Sequence, residues 1–116
     1  MRNQKSNVRV IKHKFNKCEQ VCRAYSDVQF AYAKKLDEDE SIVSFECNVP
    51  LTGLDMEGAF TTDFLIVKND GDYAVRECVT QDKLLKPRTI RLLDASHIYW
   101  HKRGIVDWGV VVNERT

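Results

Sequence analysis

Two acidic residues, Asp63 and Glu77, flank a short polar turn and are the side chains in this chain most suited to chemistry. Thr61-Thr62-Asp63-Phe64-Leu65-Ile66-Val67 reads as a strand, and Tyr73-Ala74-Val75-Arg76-Glu77-Cys78-Val79 reads as the strand that returns. Between them, Asn69-Asp70-Gly71-Asp72 supplies the Asp-Gly pair that a tight hairpin needs for its positive φ angles. A turn centred near Asp70 sets Asp63 opposite Glu77, with Cβ atoms roughly 4.5–5.5 Å apart. Two carboxylates that close repel unless a proton or a cation lies between them. A hard divalent ion, magnesium or manganese, is the expected partner of such an oxygen pair.

The neighbouring elements must hold that pair in place. Ser26 opens a helix with Gln29 three residues on, a capping-box spacing, and Val28, Tyr32 and Leu36 recur at helical period. Ala31 and Ala33 allow close packing. The acidic run Asp37-Glu38-Asp39-Glu40 suits a helix C-terminus poorly and is expected in the loop that follows. Residues 41–51 read as a strand with Pro50 at its far end. Pro87 starts a second helix over about 88–103, with Ile90, Leu93, His97 and Trp100 as its expected buried stripe. Gly104 stops it, and Val106 to Val112 is a mostly apolar strand of the kind buried on both faces. The predicted order is α-β-β-β-α-β. Three strands form an antiparallel meander, and the last joins in parallel through a right-handed crossover.

A chain of 116 residues, 43% hydrophobic and 30% charged, makes one domain with one core. It has no apolar run of about 18 residues and no apolar signal region after Met1, so a cytoplasmic protein is expected. Its four cysteines then read as thiols rather than disulfides. The net charge of +1 conceals three zones. Residues 1–25 carry seven Lys/Arg and one acid, residues 26–72 three bases and eleven acids, and residues 73–116 eight bases and five acids. Residues 1–25 are read as a basic arm preceding a domain at 26–116. Arg2, Lys5, Arg9, Lys12, Lys14 and Lys17 are the candidate phosphate contacts. Basic flanks around an acidic centre suit an enzyme acting on a polyanion.

The element order resembles the core of the PD-(D/E)XK, or restriction-endonuclease-like, nucleases. Ser26-Asp27-Val28-Gln29, Thr61-Thr62-Asp63-Phe64-Leu65-Ile66, Leu84-Leu85-Lys86-Pro87-Arg88, Tyr99-Trp100 and Gly104-Ile105-Val106-Asp107-Trp108-Gly109-Val110-Val111 are similar to the N-terminal catalytic domain of TnsA. TnsA is the endonuclease subunit of Tn-seven-type heteromeric transposases. The resemblance covers roughly residues 20–113. It implies an α/β fold with a mixed sheet flanked by helices, a magnesium- or manganese-dependent cut in double-stranded DNA, and a partner transposase subunit. The family's catalytic aspartate falls on Asp63 and the first residue of its Gln/Glu-x-Lys triplet on Glu77. The triplet's lysine falls on Val79 and the first-helix glutamate on Gln29, so two of the four positions depart from the pattern. A lysine that polarises the attacking water is worth about 10²–10⁴ in rate. Lys83, just past the strand, is the candidate replacement, with Lys86 and Arg88 next.

Simpler readings stand beside these. Asp63 could flank a strand, Glu77 could pair with Arg76, Gln29 could be only a helix cap, and Lys83 a solvated lysine. Cys18 and Cys22, with His97 and His101, each place two soft ligands a helical turn apart and could build a zinc site, although neither pair has finger spacing. Core thiols and a satisfied histidine are the plainer alternative. Alternation turns Cys78 away from Glu77. Trp100 and Trp108 read as core aromatics. The functional alternatives to an active nuclease are a non-cleaving nuclease fold kept for DNA binding or assembly, and an unrelated interaction domain.

Overall fold

The computed structural model describes residues 10–52 and 60–113. Its elements are β1 (Ile11–His13), β2 (Cys22–Ala24), α1 (Asp27–Glu38), β3 (Ile42–Pro50), β4 (Thr61–Lys68), β5 (Tyr73–Val79), a 3-10 turn (Gln81–Lys83), α2 (Pro87–Lys102) and β6 (Asp107–Val112). Four strands form a mixed α/β sheet in the order β3-β4-β5-β6, antiparallel except for the β5–β6 pair. The small antiparallel pair β1–β2 is separate.

The Asp-Gly turn sets the register. Gly71 takes φ +89°, its N–H donates to the Lys68 carbonyl, and the Asp70 carboxylate caps the Asp72 N–H. Phe64 then pairs with Arg76, Leu65 with Val75 and Ile66 with Ala74, so the next step along brings Asp63 level with Glu77.

Strand alternation divides the interior into two layers. On one face, Phe45, Phe64, Ile66, Ala74 and Cys78 pack with Val28, Ala33 and Leu36 of α1. On the other, Val75 packs with Tyr99 and Trp100 of α2, joined by Leu65 and Trp108. Cys78 and Glu77 therefore face opposite layers, as alternation requires.

Both helices have identifiable ends. Ser26 accepts the Gln29 N–H, while the Gln29 side-chain carbonyl reaches back to the N–H of Tyr25, a residue earlier than the standard capping box. α1 runs on through Asp37 and Glu38, so only Asp39 and Glu40 of the acidic run lie beyond it. Asp37 accepts the Lys17 N–H, which offsets its poor position near the helix C-terminus. α2 starts at Pro87 and ends in a Schellman motif, with Gly104 at φ +87° and the Ile105 N–H donating to the Trp100 carbonyl. Its buried face is Leu92, Ser96, Tyr99 and Trp100, whereas Ile90 and His97 are exposed. Of the stripe expected at Ile90, Leu93, His97 and Trp100, Trp100 is buried and Leu93 half-buried, and the face is rotated away from Ile90 and His97 because Ser96 and Trp100 make the contact with Trp108 and Thr62.

The segment read as a basic arm is folded from residue 10 onward. Phe15, Cys18, Cys22 and Ala24 are buried, and the Phe45 N–H of β3 donates to the Lys17 carbonyl. Arg2, Lys5 and Arg9 lie outside the described residues. Among the described residues, no helix is long and apolar enough to cross a membrane.

Candidate functional site

Asp63 and Glu77 meet where β4 and β5 stop pairing backbone to backbone. Each carboxylate there takes a main-chain donor. The Asp63 N–H donates to Glu77 Oε1 at 2.9 Å, and the Cys78 N–H donates to Asp63 Oδ2 at 2.7 Å. The two acids therefore bridge a local parting of the strands, each bonded across it to the other strand.

Asn48 prepares that parting from the other side. It lies opposite Asp63, between the pairs Cys47–Phe64 and Val49–Thr62, and adopts φ +55°, a conformation asparagine tolerates better than most residues. Cys47 packs in the α1 layer and Val49 in the α2 layer, so strand alternation breaks at this residue. Thr62 changes sides with it and accepts the Trp100 Nε1–H at 2.7 Å.

α2 supplies the roof. Ser96 Oγ donates to Glu77 Oε2 at 2.6 Å and accepts the Trp108 Nε1–H at 3.0 Å. His97 stacks on Trp108 with ring centroids 4.6 Å apart. Beneath this cover Asp63 is 1% exposed and Glu77 0%. Burial pushes the Glu77 carboxyl up to about 7, against the pull of hydrogen bonds from Ser96 and Thr62. The raised value favours the protonated form of Glu77, which removes part of the repulsion that the pairing creates.

The other sequence candidates occupy different places. The Gln29 amide is buried and committed at both ends, its oxygen to the Tyr25 N–H and its nitrogen to Asn48 Oδ1 at 3.0 Å. Asn48 in turn donates to the Arg23 carbonyl. Gln29 is therefore linked to the residue opposite Asp63, as a cap and a brace. Val79 is buried, and Lys83 sits exposed in the 3-10 turn. Arg76 pairs with Asp107 at 2.7 Å rather than with Glu77. Lys12 is exposed on β1, Lys14 Nζ donates to the Phe15 carbonyl, and Lys17 Nζ turns to the Asp39 carbonyl. Cys18 and Cys22 pack in the α1 layer, whereas His97 and His101 are exposed on α2, so the four do not gather as a zinc site.

Asn48, Thr62 and Ser96 escaped the sequence reading. Small polar residues inside apolar stretches were the available signal, since such groups need a partner when buried.

As a donor set, two carboxylates suit a hard cation. Magnesium sites commonly use one or two carboxylates and complete their shell with water and substrate phosphate. Among the described residues no group of three or more His, Cys, Asp or Glu is suited to a metal ion. The fit is in donor type and number. No protein-family model matches this sequence, and no curated protein resembles it closely enough to count as a relative.

Proposed function

We propose that this chain is a TnsA-like endonuclease domain of the restriction-endonuclease-like class, acting on double-stranded DNA with magnesium or manganese. The observation that carries this reading is the meeting of Asp63 and Glu77 at the parting of β4 and β5, each hydrogen-bonded to the opposing strand. A bound divalent ion would stabilise the charge that develops on the phosphodiester and favour hydroxide at neutral pH. Asp63 and Glu77 would hold that ion, and Ser96 orients Glu77 through its hydroxyl. Lys12 and Lys14 contact phosphates without reading sequence, in company with Arg2, Lys5 and Arg9. Lys14 and Lys17 contribute less than Lys12, because their ammonium groups already serve the Phe15 and Asp39 carbonyls. A partner transposase subunit and a cytoplasmic location complete the reading.

Two observations favour a second version, in which the same domain binds DNA without cutting it. The lysine position is a buried valine, and the Gln29 amide is bonded at both ends. Without a lysine to polarise the water, the rate is expected to fall by about 10²–10⁴.

A plasmid-nicking assay with magnesium or manganese tests both. The leading reading expects slow nicking that Asp63→Ala abolishes. It also expects a gain on combining Val79→Lys with Gln29→Glu. No nicking by wild type, with a gain in the double variant, selects the non-cleaving version. No nicking by either, or nicking that survives Asp63→Ala, overturns the placement of the site.

A further inference from the structure

Three of the four cysteines converge in the α1 layer, none of them bonded to the carboxylate pair through its side chain. Cys18 and Cys22 come from the segment that ends in β2, and Cys47 comes from β3, the edge strand of the sheet. Cys47 Sγ lies 2.6 Å from Cys22 Sγ, and Cys22 is 1% exposed. Two hydrogen bonds to main-chain carbonyls bracket the pair. The Phe45 N–H donates to the Lys17 carbonyl at 3.0 Å on one side, and Asn48 Nδ2 donates to the Arg23 carbonyl at 2.7 Å on the other. The separation of the two backbones is therefore set before any bond forms. Such pre-positioning is what a disulfide requires, because its geometry tolerates little displacement.

We propose that Cys22 and Cys47 form a dithiol–disulfide site that a hydroperoxide closes. The thiols differ in readiness. A hydrogen bond from Cys47 holds the Cys22 thiol below its ordinary value despite burial, and the same bond, with burial, pushes Cys47 up. Burial also raises Cys18. Cys22 is thus the nucleophile and Cys47 the resolving thiol.

In the first step the Cys22 thiolate attacks one peroxide oxygen. The O–O bond breaks, sulfur is oxidised by two electrons to a sulfenic acid, and the other oxygen leaves as water after taking a proton. The Cys47 sulfur then attacks Cys22 sulfur. The S–S bond forms, the S–O bond breaks, and hydroxide leaves with the Cys47 proton as a second water. With hydrogen peroxide, two thiols and one peroxide become one disulfide and two waters. Cys47 is the one of the three that is only half-buried, so the oxidant approaches from its side. The product ties the segment holding β1 and β2 to the edge of the sheet.

The test treats the folded full chain with hydrogen peroxide and maps its peptides without reduction. The expected product has lost two hydrogens, joins the Cys22 and Cys47 peptides, and leaves half of the four thiols titratable. Closing a loop of about 25 residues is expected to raise Tm by roughly 10 °C, reversibly with dithiothreitol. Cys18→Ser should keep the crosslink, and Cys22→Ser or Cys47→Ser should abolish it. All four thiols intact after peroxide, a crosslink through Cys18 instead, or a crosslink formed only in denaturant would each overturn the proposal. The wild-type peptide map decides even where a serine variant fails to fold.

Discussion

Glu77 shows how one buried acid couples stability to pH. Its carboxyl is raised from about 4.5 to about 7, chiefly because burial disfavours the charged form. The neutral form is therefore the better folded one. The stability that Glu77 contributes is complete below its unfolded value of about 4.5 and is lost as pH rises through about 7. The loss approaches about 3 kcal/mol on the alkaline side, at roughly 1.4 kcal/mol for each unit of displacement. Urea unfolding of wild type between pH 5 and pH 8 should show this decline. Glu77→Gln keeps a neutral side chain whose one carbonyl oxygen can accept the Asp63 N–H while its amide nitrogen donates to Ser96 Oγ, and it should flatten that part of the profile. Equal slopes for the two proteins would show that Glu77 titrates normally.

At the scale of elements, the site depends on a strand that changes faces. Cys47 belongs to the α1 layer and Val49 to the α2 layer because Asn48, between them, adopts φ +55°. Asn48→Gly keeps that conformation accessible but removes the bonds to Gln29 and Arg23, while Asn48→Ala removes the bonds and adds backbone strain. Alanine should therefore be the more destabilising of the two, by about 1 kcal/mol, in denaturant titrations. The reverse order would remove the backbone from the explanation.

The same residue marks the limit of what the sequence discloses. Asp70-Gly71 announces a turn, the turn fixes the register, and the register brings Asp63 level with Glu77. That much follows from local chemistry. The face change at Asn48 does not, because an asparagine within a strand pattern is equally consistent with regular pairing. α2 shows another limit. Ile90 and His97 obey the helical period as well as Leu92 and Ser96 do, and only the bonds across the interface, Trp100 to Thr62 and Trp108 to Ser96, decide which side is covered. The N-terminal segment was obscured for a similar reason. Its strands are three residues long, and what holds them is Phe15 and two thiols that find partners far along the chain.

At the scale of the molecule, the described residues form two packed layers separated by a four-stranded sheet, with the acid pair where two of its strands part. Lys68 and Arg76 both bind Asp107 across the sheet and hold that carboxyl below its usual range, with the Lys68 hydrogen bond the larger cause. These basic groups are engaged at Asp107, so they do not neutralise the acid pair. A divalent ion entering there displaces the Glu77 proton and should favour the folded state in proportion to its occupancy. Trp100 and Trp108 both touch the hydrogen-bonded surroundings of the pair, which gives the site an intrinsic fluorescent reporter.

Manganese titration at pH 8, followed by calorimetry and tryptophan fluorescence, tests the central claim most directly. Wild type is expected to bind saturably, with one ion per chain. Asp63→Asn is the comparison, since its amide oxygen can still accept the Cys78 N–H while the charge is gone, and it should lose that binding. A flat wild-type titration, or one that Asp63→Asn leaves unchanged, would contradict the account.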